Sequence, residues 1–134
     1  MTMTRRETRE AAFVLVFEWL IRGDEPDDIL DTAEAELFLS EDSIAIFRGV
    51  YQRHDELCEI ISGYSEKRQV SRIPKVCLAI LEIAVYEILY CDLVPENVAI
   101  NEAVLLSKKY GFEADSSFVN GVLGSYSRSR SENK

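Results

Sequence analysis

The sequence predicts an all-α protein, a compact bundle of about seven helices, and three observations carry that prediction. Every apolar pattern along the chain recurs with a period near 3.6 residues. No stretch alternates strictly between apolar and polar residues, as a half-buried strand would. The three prolines, Pro26, Pro74 and Pro95, each stand where a helix can begin.

The elements follow in order. Thr4 and Glu7 have the spacing of a capping box and open a helix running to about Arg22, with Gly23 behind it. Pro26 starts a second helix reaching roughly Leu37. Ser40 caps a third, whose apolar residues Ile44, Phe47, Val50, Tyr51, Leu57, Ile60 and Ile61 form one stripe ending near Gly63. A short helical turn is expected over 65–70. Pro74 opens VCLAILEIAVYEILY, which is apolar on nearly all sides and belongs at the centre of the fold. Pro95 opens the next helix and Gly111 closes it. The last starts near Asp115 or Ser116 and carries FVNGVL, and residues 128–134 read as a frayed tail. With short loops and no visible linker, residues 1–134 are predicted to form one domain, with halves at about 1–63 and 64–127.

The chain has 134 residues, 47% of them hydrophobic and 29% charged, which suits one soluble globular domain. Glu18, Glu82 and Glu87 interrupt the longest apolar runs, so no membrane span is expected and a cytoplasmic protein follows. The net charge of -9 is not spread evenly. Nine acidic residues fall between Gly23 and Asp42 with no Lys or Arg among them, leaving 15 acidic (24 minus 9) against 15 basic residues elsewhere. The rest of the chain is therefore neutral and can carry local positive patches.

No glycine-rich phosphate loop, nucleophile elbow or distinctive carboxylate pair is present, so neither catalysis nor a cofactor is expected. Cys58, Cys77 and Cys91 are widely separated in helical contexts and show neither a metal-binding pair nor a disulfide framework. They read as small hydrophobes that bind no metal. His54, the only histidine, continues the row Ile44, Phe47, Val50, Tyr51 and reads as a packing residue.

Charge chemistry concentrates at the first helix. At 100° per residue, Arg9 and Arg6 lie about 40° and about 100° from Arg5, so three guanidinium groups share one arc. Guanidinium forks suit phosphate and stack on bases; the plainer alternative is a solvated helix end paired with Glu7 and Glu10. Lys108, Lys109 and Tyr110 end the sixth helix and Phe118 begins the last. They are candidates for the basic and aromatic groups that hold single-stranded RNA, although Tyr110 and Phe118, taken alone, fit a core better.

These residues bring a family into view. RRETREAAFVLVFEW, AILEIAVYEILY, and above all VPENVAINEAVLLSKKYG followed by FVNGVLG resemble the NusB family of bacterial transcription antitermination factors from end to end. The resemblance implies an all-α fold of two small helical bundles, no catalysis, and binding of the boxA element of ribosomal RNA leader transcripts. It implies partners too: NusE, a ribosomal protein of the small subunit, and the antitermination complex on RNA polymerase, with homodimerisation left open. Matching motif positions assigns RNA binding to Arg5, Arg6, Arg9, Lys108, Lys109, Tyr110 and Phe118. It gives Asn101, Glu102 and Asn120 the work of holding helix starts and the junction between bundles by hydrogen bonds. Glu82 stands where the family pattern usually has arginine, and Ser117 where a basic residue commonly precedes FVNG. The competing reading is a protein-interaction module of the same fold, with weak or lost RNA binding, whose acidic 24–42 segment docks a basic partner.

Overall fold

A computed structural model describes residues 3–34, 39–66 and 68–132. Seven α-helices appear in it: α1 (Arg5–Arg22), α2 (Pro26–Glu34), α3 (Glu41–Gln52), α4 (His54–Tyr64), α5 (Lys75–Tyr90), α6 (Glu96–Tyr110) and α7 (Glu113–Glu132), with a 3₁₀ turn at Val70–Arg72 before α5. Among the described residues there is no strand, and no helix is long and apolar enough to cross a membrane.

The local chemistry accounts for most boundaries. Glu7 donates its backbone N–H to Thr4 Oγ1 at 3.1 Å and its carboxylate accepts the Thr4 N–H at 2.9 Å, which completes the capping box of α1. The helix ends at Gly23, whose φ of 71° lies in the left-handed region that glycine enters without a Cβ clash. Ser40 caps α3 through the Ser43 N–H. Pro74 and Pro95 directly precede α5 and α6, and Gly111 follows α6.

Four boundaries differ from the sequence expectation. The predicted third helix is two helices, because the chain turns at Arg53, whose backbone N–H reaches back to the carbonyls of Gly49 and Val50. Phe47, Val50, Leu57 and Ile61 are all buried on either side of that turn, so the apolar stripe runs through it and periodicity could not register the break. The short turn lies at Val70–Arg72 rather than starting at 65. α7 begins at Glu113, and residues 128–132 continue it instead of fraying. Contacts from the body of the fold hold this end: the Tyr64 hydroxyl donates to Ser129 Oγ at 2.8 Å, and the Arg130 guanidinium lies 3.3 Å from the Glu96 carboxylate. The expected end of α2 near Leu37 falls outside the described residues.

The apolar helix is central, as its composition predicts. α5 contacts α1, α3, α4, α6 and α7, and every residue from Cys77 to Val85 is buried. On one side it receives Phe13, Leu15 and Val16 of α1 and Phe47 and Val50 of α3; on the other, Ala103 and Leu106 of α6 and Val119, Val122 and Leu123 of α7. Gly49 leaves room for the Tyr86 ring against α3, a space that a Cβ would take. His54 does pack, edge-on against Trp19 with ring centroids 4.8 Å apart. It also lies 2.7 Å from a Glu82 oxygen, a contact that no helical row predicts.

Candidate nucleic-acid interface

The three arginines that share an arc on an ideal helix do not share an environment. Arg5 is exposed at the start of α1 and borders a groove with Tyr86, Tyr90, Asp42 and Leu93. Arg6 faces α6, where its guanidinium lies 3.0 Å from Glu102 while its side chain stays 67% exposed. Arg9 turns inward and is 5% exposed, with Nε and Nη2 placed 2.7 and 2.8 Å from the two oxygens of Glu87 on α5. Both carboxylate oxygens and both forward-facing donors are thereby used. Arg9 therefore fastens α1 to α5 and presents little of its charge outside.

The end of α6 divides in a similar way. Lys109 and Tyr110 both turn toward α1 and bond the Glu10 carboxylate, holding that carboxyl below its usual range. The Tyr110 ring rests on Phe13 with centroids 4.9 Å apart, so the residue is half anchor and half surface. Lys108 points elsewhere, into a shallow groove between α6 and α7 lined also by Asn101, Val104, Leu105, Ser116, Ser117 and Asn120.

Phe118 is half-buried against the core, and the Arg68 guanidinium stacks over its ring at 4.5 Å. One face of the aromatic is therefore already covered by a cation from the segment before α5. Sequence reading missed Arg68, since a contact across fifty positions leaves no local signal.

Neighbouring grooves join most of these residues into a strip. The first lies between Arg6, Glu10, Glu102, Leu105 and Lys109; Leu105 also borders the groove of Lys108, Asn101 and Asn120; Ser117 is common to that groove and the one holding Phe118. The strip runs from the start of α1 across α6 to the start of α7. Arg5 lies off it on the α3 and α5 side, and Arg9 lies mostly beneath it. The junction role expected of Asn101, Glu102 and Asn120 holds only for Glu102, which ties α6 to Arg6 on α1. Asn101 and Asn120 are exposed on the groove walls, whereas Ala103 and Leu106 of α6 and Val119 and Leu123 of α7 are the residues those two helices bury in the core.

With this geometry in place, comparison decides the family. Residues 6–128 match the NusB family. The chain belongs to the NusB family. It is 37% identical over 126 residues to the transcription antitermination protein NusB of Acetivibrio thermocellus, covering 91% of this chain and 87% of the relative. The NusB of Bacillus velezensis is likewise 37% identical, over 125 residues, covering 90% and 93%. Among solved structures, T. maritima NusB is 30% identical and superposes with a TM-score of 0.84, covering 96% of this chain and 93% of that one. A chain from a complex of antitermination factors NusB and NusE with double-stranded RNA superposes with a TM-score of 0.81 at 22% identity, covering 93% and 96%, a likeness of fold. The all-α NusB fold expected from the motifs is thus the one found. Within it, this NusB-family chain spends Arg9 on holding α1 to α5, ties Lys109 and Tyr110 to Glu10 while the Lys109 side chain stays 60% exposed, and keeps Arg5, Arg6 and Lys108 at the surface with Phe118 half-buried.

Proposed function

We propose that this chain is a transcription antitermination factor that binds boxA RNA of ribosomal RNA leader transcripts together with NusE, within a complex on RNA polymerase in the cytoplasm. The observation that carries the reading is end-to-end membership in the NusB family, with relatives named as antitermination proteins matched over about nine-tenths of the chain. The site assignment rests on the strip. Arg6 and Lys108 supply positive charge to phosphates, Phe118 with the Arg68 guanidinium over its ring offers a flat surface for stacking, and Asn101 and Asn120 add amides that both donate and accept. Arg5 extends the charge around the end of α1. Lys109, 60% exposed on the same groove as Arg6, adds a further cation, while Arg9 and Tyr110 contribute by holding the start of α1 and the end of α6 in register. No step of this function requires catalysis.

The test is a titration of boxA RNA with and without NusE, comparing the parent with Lys108→Ala and Phe118→Ala after circular dichroism has shown both variants folded. Phosphate contacts release counterions, so Lys108→Ala should flatten the slope of log K against log salt by about 0.7. Stacking has no such signature, and Phe118→Ala should cost on the order of 1–3 kcal/mol with the slope nearly unchanged. If both variants bind boxA as tightly as the parent, the strip is not the RNA surface. If the parent binds NusE but no RNA, the chain is an interaction module of the same fold, and the exposed carboxylates of Asp27, Asp28 and Asp31 on α2 become the surface to examine.

A further inference from the structure

Away from the strip, three side chains with metal-binding atoms converge between α4 and α5. His54 and Cys58 stand four residues apart on α4 and so project from one face, and Glu82 of α5 lies behind them. His54 Nδ1 is 2.7 Å from Glu82 Oε1, while Cys58 Sγ is 3.6 Å from Nδ1 and 3.8 Å from Nε2. One ligating atom from each residue falls within 4.8 Å of the other two. Tetrahedral zinc, with its sulfur ligand at about 2.3 Å and its nitrogen and oxygen ligands near 2.0–2.1 Å, sets sulfur and nitrogen about 3.6 Å apart and nitrogen and oxygen about 3.3 Å apart. The sulfur–nitrogen spacing is already met, and the histidine–glutamate contact needs to open by about 0.6 Å.

A second observation concerns the carboxylate itself. Glu82 is fully buried, yet Oε2 has no hydrogen-bond partner. A buried carboxylate with one empty oxygen is costly unless a cation completes its shell. Cys58 is half-buried and the His54 side chain is 31% exposed, so an ion can enter from solvent and keep a water as its fourth ligand.

We propose that His54, Cys58 and Glu82 form a binding site for a borderline-soft divalent transition-metal ion of the zinc class. One imidazole, one thiolate and one carboxylate favour zinc over magnesium or calcium, which prefer all-oxygen shells. Charge balances in the exchange. On binding, His54 would coordinate as the neutral imidazole and Cys58 as the thiolate, so protons are released to solvent as the dication enters between thiolate and carboxylate. The ion would clamp α4 to α5, with α1 held nearby through Trp19.

Trp19 is the chain's one tryptophan and meets the His54 ring edge-on, so it reports on the site directly. The reduced, chelator-stripped full chain is mixed with one equivalent of zinc, desalted and assayed for metal, and is titrated separately with cobalt(II). The expected result is one zinc retained per chain, and a thiolate-to-cobalt charge-transfer band that saturates at one equivalent together with quenching of Trp19 fluorescence. Cys58→Ser should abolish the band, Glu82→Gln should abolish retention, and Cys91→Ser should leave both intact. Zinc-free parent protein after desalting, or a Cys58→Ser variant that is folded by circular dichroism and keeps the parent's metal response, would overturn the site. Should Glu82→Gln fail to fold, the parent and Cys58→Ser decide the matter between them.

Discussion

Helix α5 carries two buried carboxylates, Glu82 and Glu87, and the protein satisfies them in opposite ways. Glu87 meets an arginine whose fork reaches both of its oxygens, at 2.7 and 2.8 Å. Glu82 meets an imidazole, which brings one ring nitrogen to one oxygen and leaves the other bare. Both side chains are nearly absent from the surface, so the difference lies in the geometry of the partner. A planar fork matches a carboxylate with two parallel hydrogen bonds, whereas an imidazole ring directs its two N–H bonds outward in different directions and cannot. The Arg9 pair is a closed clamp between α1 and α5. The His54 pair is an open valence between α4 and α5.

The most severe way to break the clamp is Arg9→Ala, which strands Glu87 in the core. Removing one partner of a buried pair costs about 3–5 kcal/mol, a large share of a single domain's total stability. Urea unfolding should show that loss, and replacing both partners together, Arg9→Met with Glu87→Leu, should recover most of it, because the desolvation cost of the pair disappears with the pair. If Arg9→Ala proves as stable as the parent, the pair does not hold α1 and Arg9 regains its place among the RNA ligands.

The open valence should respond more weakly and with a different pH signature. In the presence of chelator, Glu82→Gln retains a neutral hydrogen bond to His54 and loses only its charge assistance, a difference of about 1 kcal/mol near neutral pH. The Cys58 sulfur and the Glu82 carboxylate push the His54 imidazolium up to about 10, while burial opposes them. A raised folded value means that the imidazolium's contribution is complete below its unfolded value, about 6.5, and is lost as pH rises through the folded one. The penalty of Glu82→Gln should therefore shrink as pH rises and reverse sign above about pH 10 in pH-resolved melts, because the buried Glu82 carboxylate, whose charge burial already disfavours, then has no cation beside it, while the penalty of Arg9→Ala should persist there. A Glu82→Gln penalty that holds constant to high pH would show that shape, not charge, fixes this contact.

How much of this was legible in the sequence depends on the range of the interaction. Helix identities, the capping box at Thr4, the stop at Gly23 and the centrality of α5 are encoded locally, by spacing and by residues within one turn, and they appear where expected. The break at Arg53 was invisible because the same face stays buried on both sides of it. The wheel grouped Arg5, Arg6 and Arg9 correctly in angle, but the edge of the buried face runs through their arc, and only the position of Glu87 and Glu102 on other helices decides which arginine lies inside. Arg68 over Phe118, and His54 beside Glu82, are likewise contacts between distant segments. Residue types suggested chemistry; tertiary placement chose which of them is free to perform it.

The smallest expected effect on folding, and the finest test of that distinction, comes from the exposed counterpart of the clamp. Arg6 pairs with Glu102 at 3.0 Å but stays largely in water, where solvent screens the attraction and the two side chains give up conformational freedom to meet. Glu102→Gln should accordingly leave the urea midpoint where it is. Its effect should appear in RNA binding instead. The Glu102 carboxylate competes with any phosphate for the Arg6 guanidinium and repels the nucleic-acid backbone from the same groove. Neutralising it should raise boxA affinity a few-fold in the presence of NusE, and should steepen the dependence of log K on log salt by up to about 0.7 as Arg6 takes a phosphate in its place. Arg6→Ala should flatten that slope by about the same amount, and the double variant should match Arg6→Ala alone, because Glu102 acts on RNA chiefly through the cation it occupies. If Glu102→Gln instead weakens boxA binding while the protein stays folded, the pair orients Arg6 for RNA and does not withhold it, and the exposed bridge belongs with the buried one as part of the scaffold.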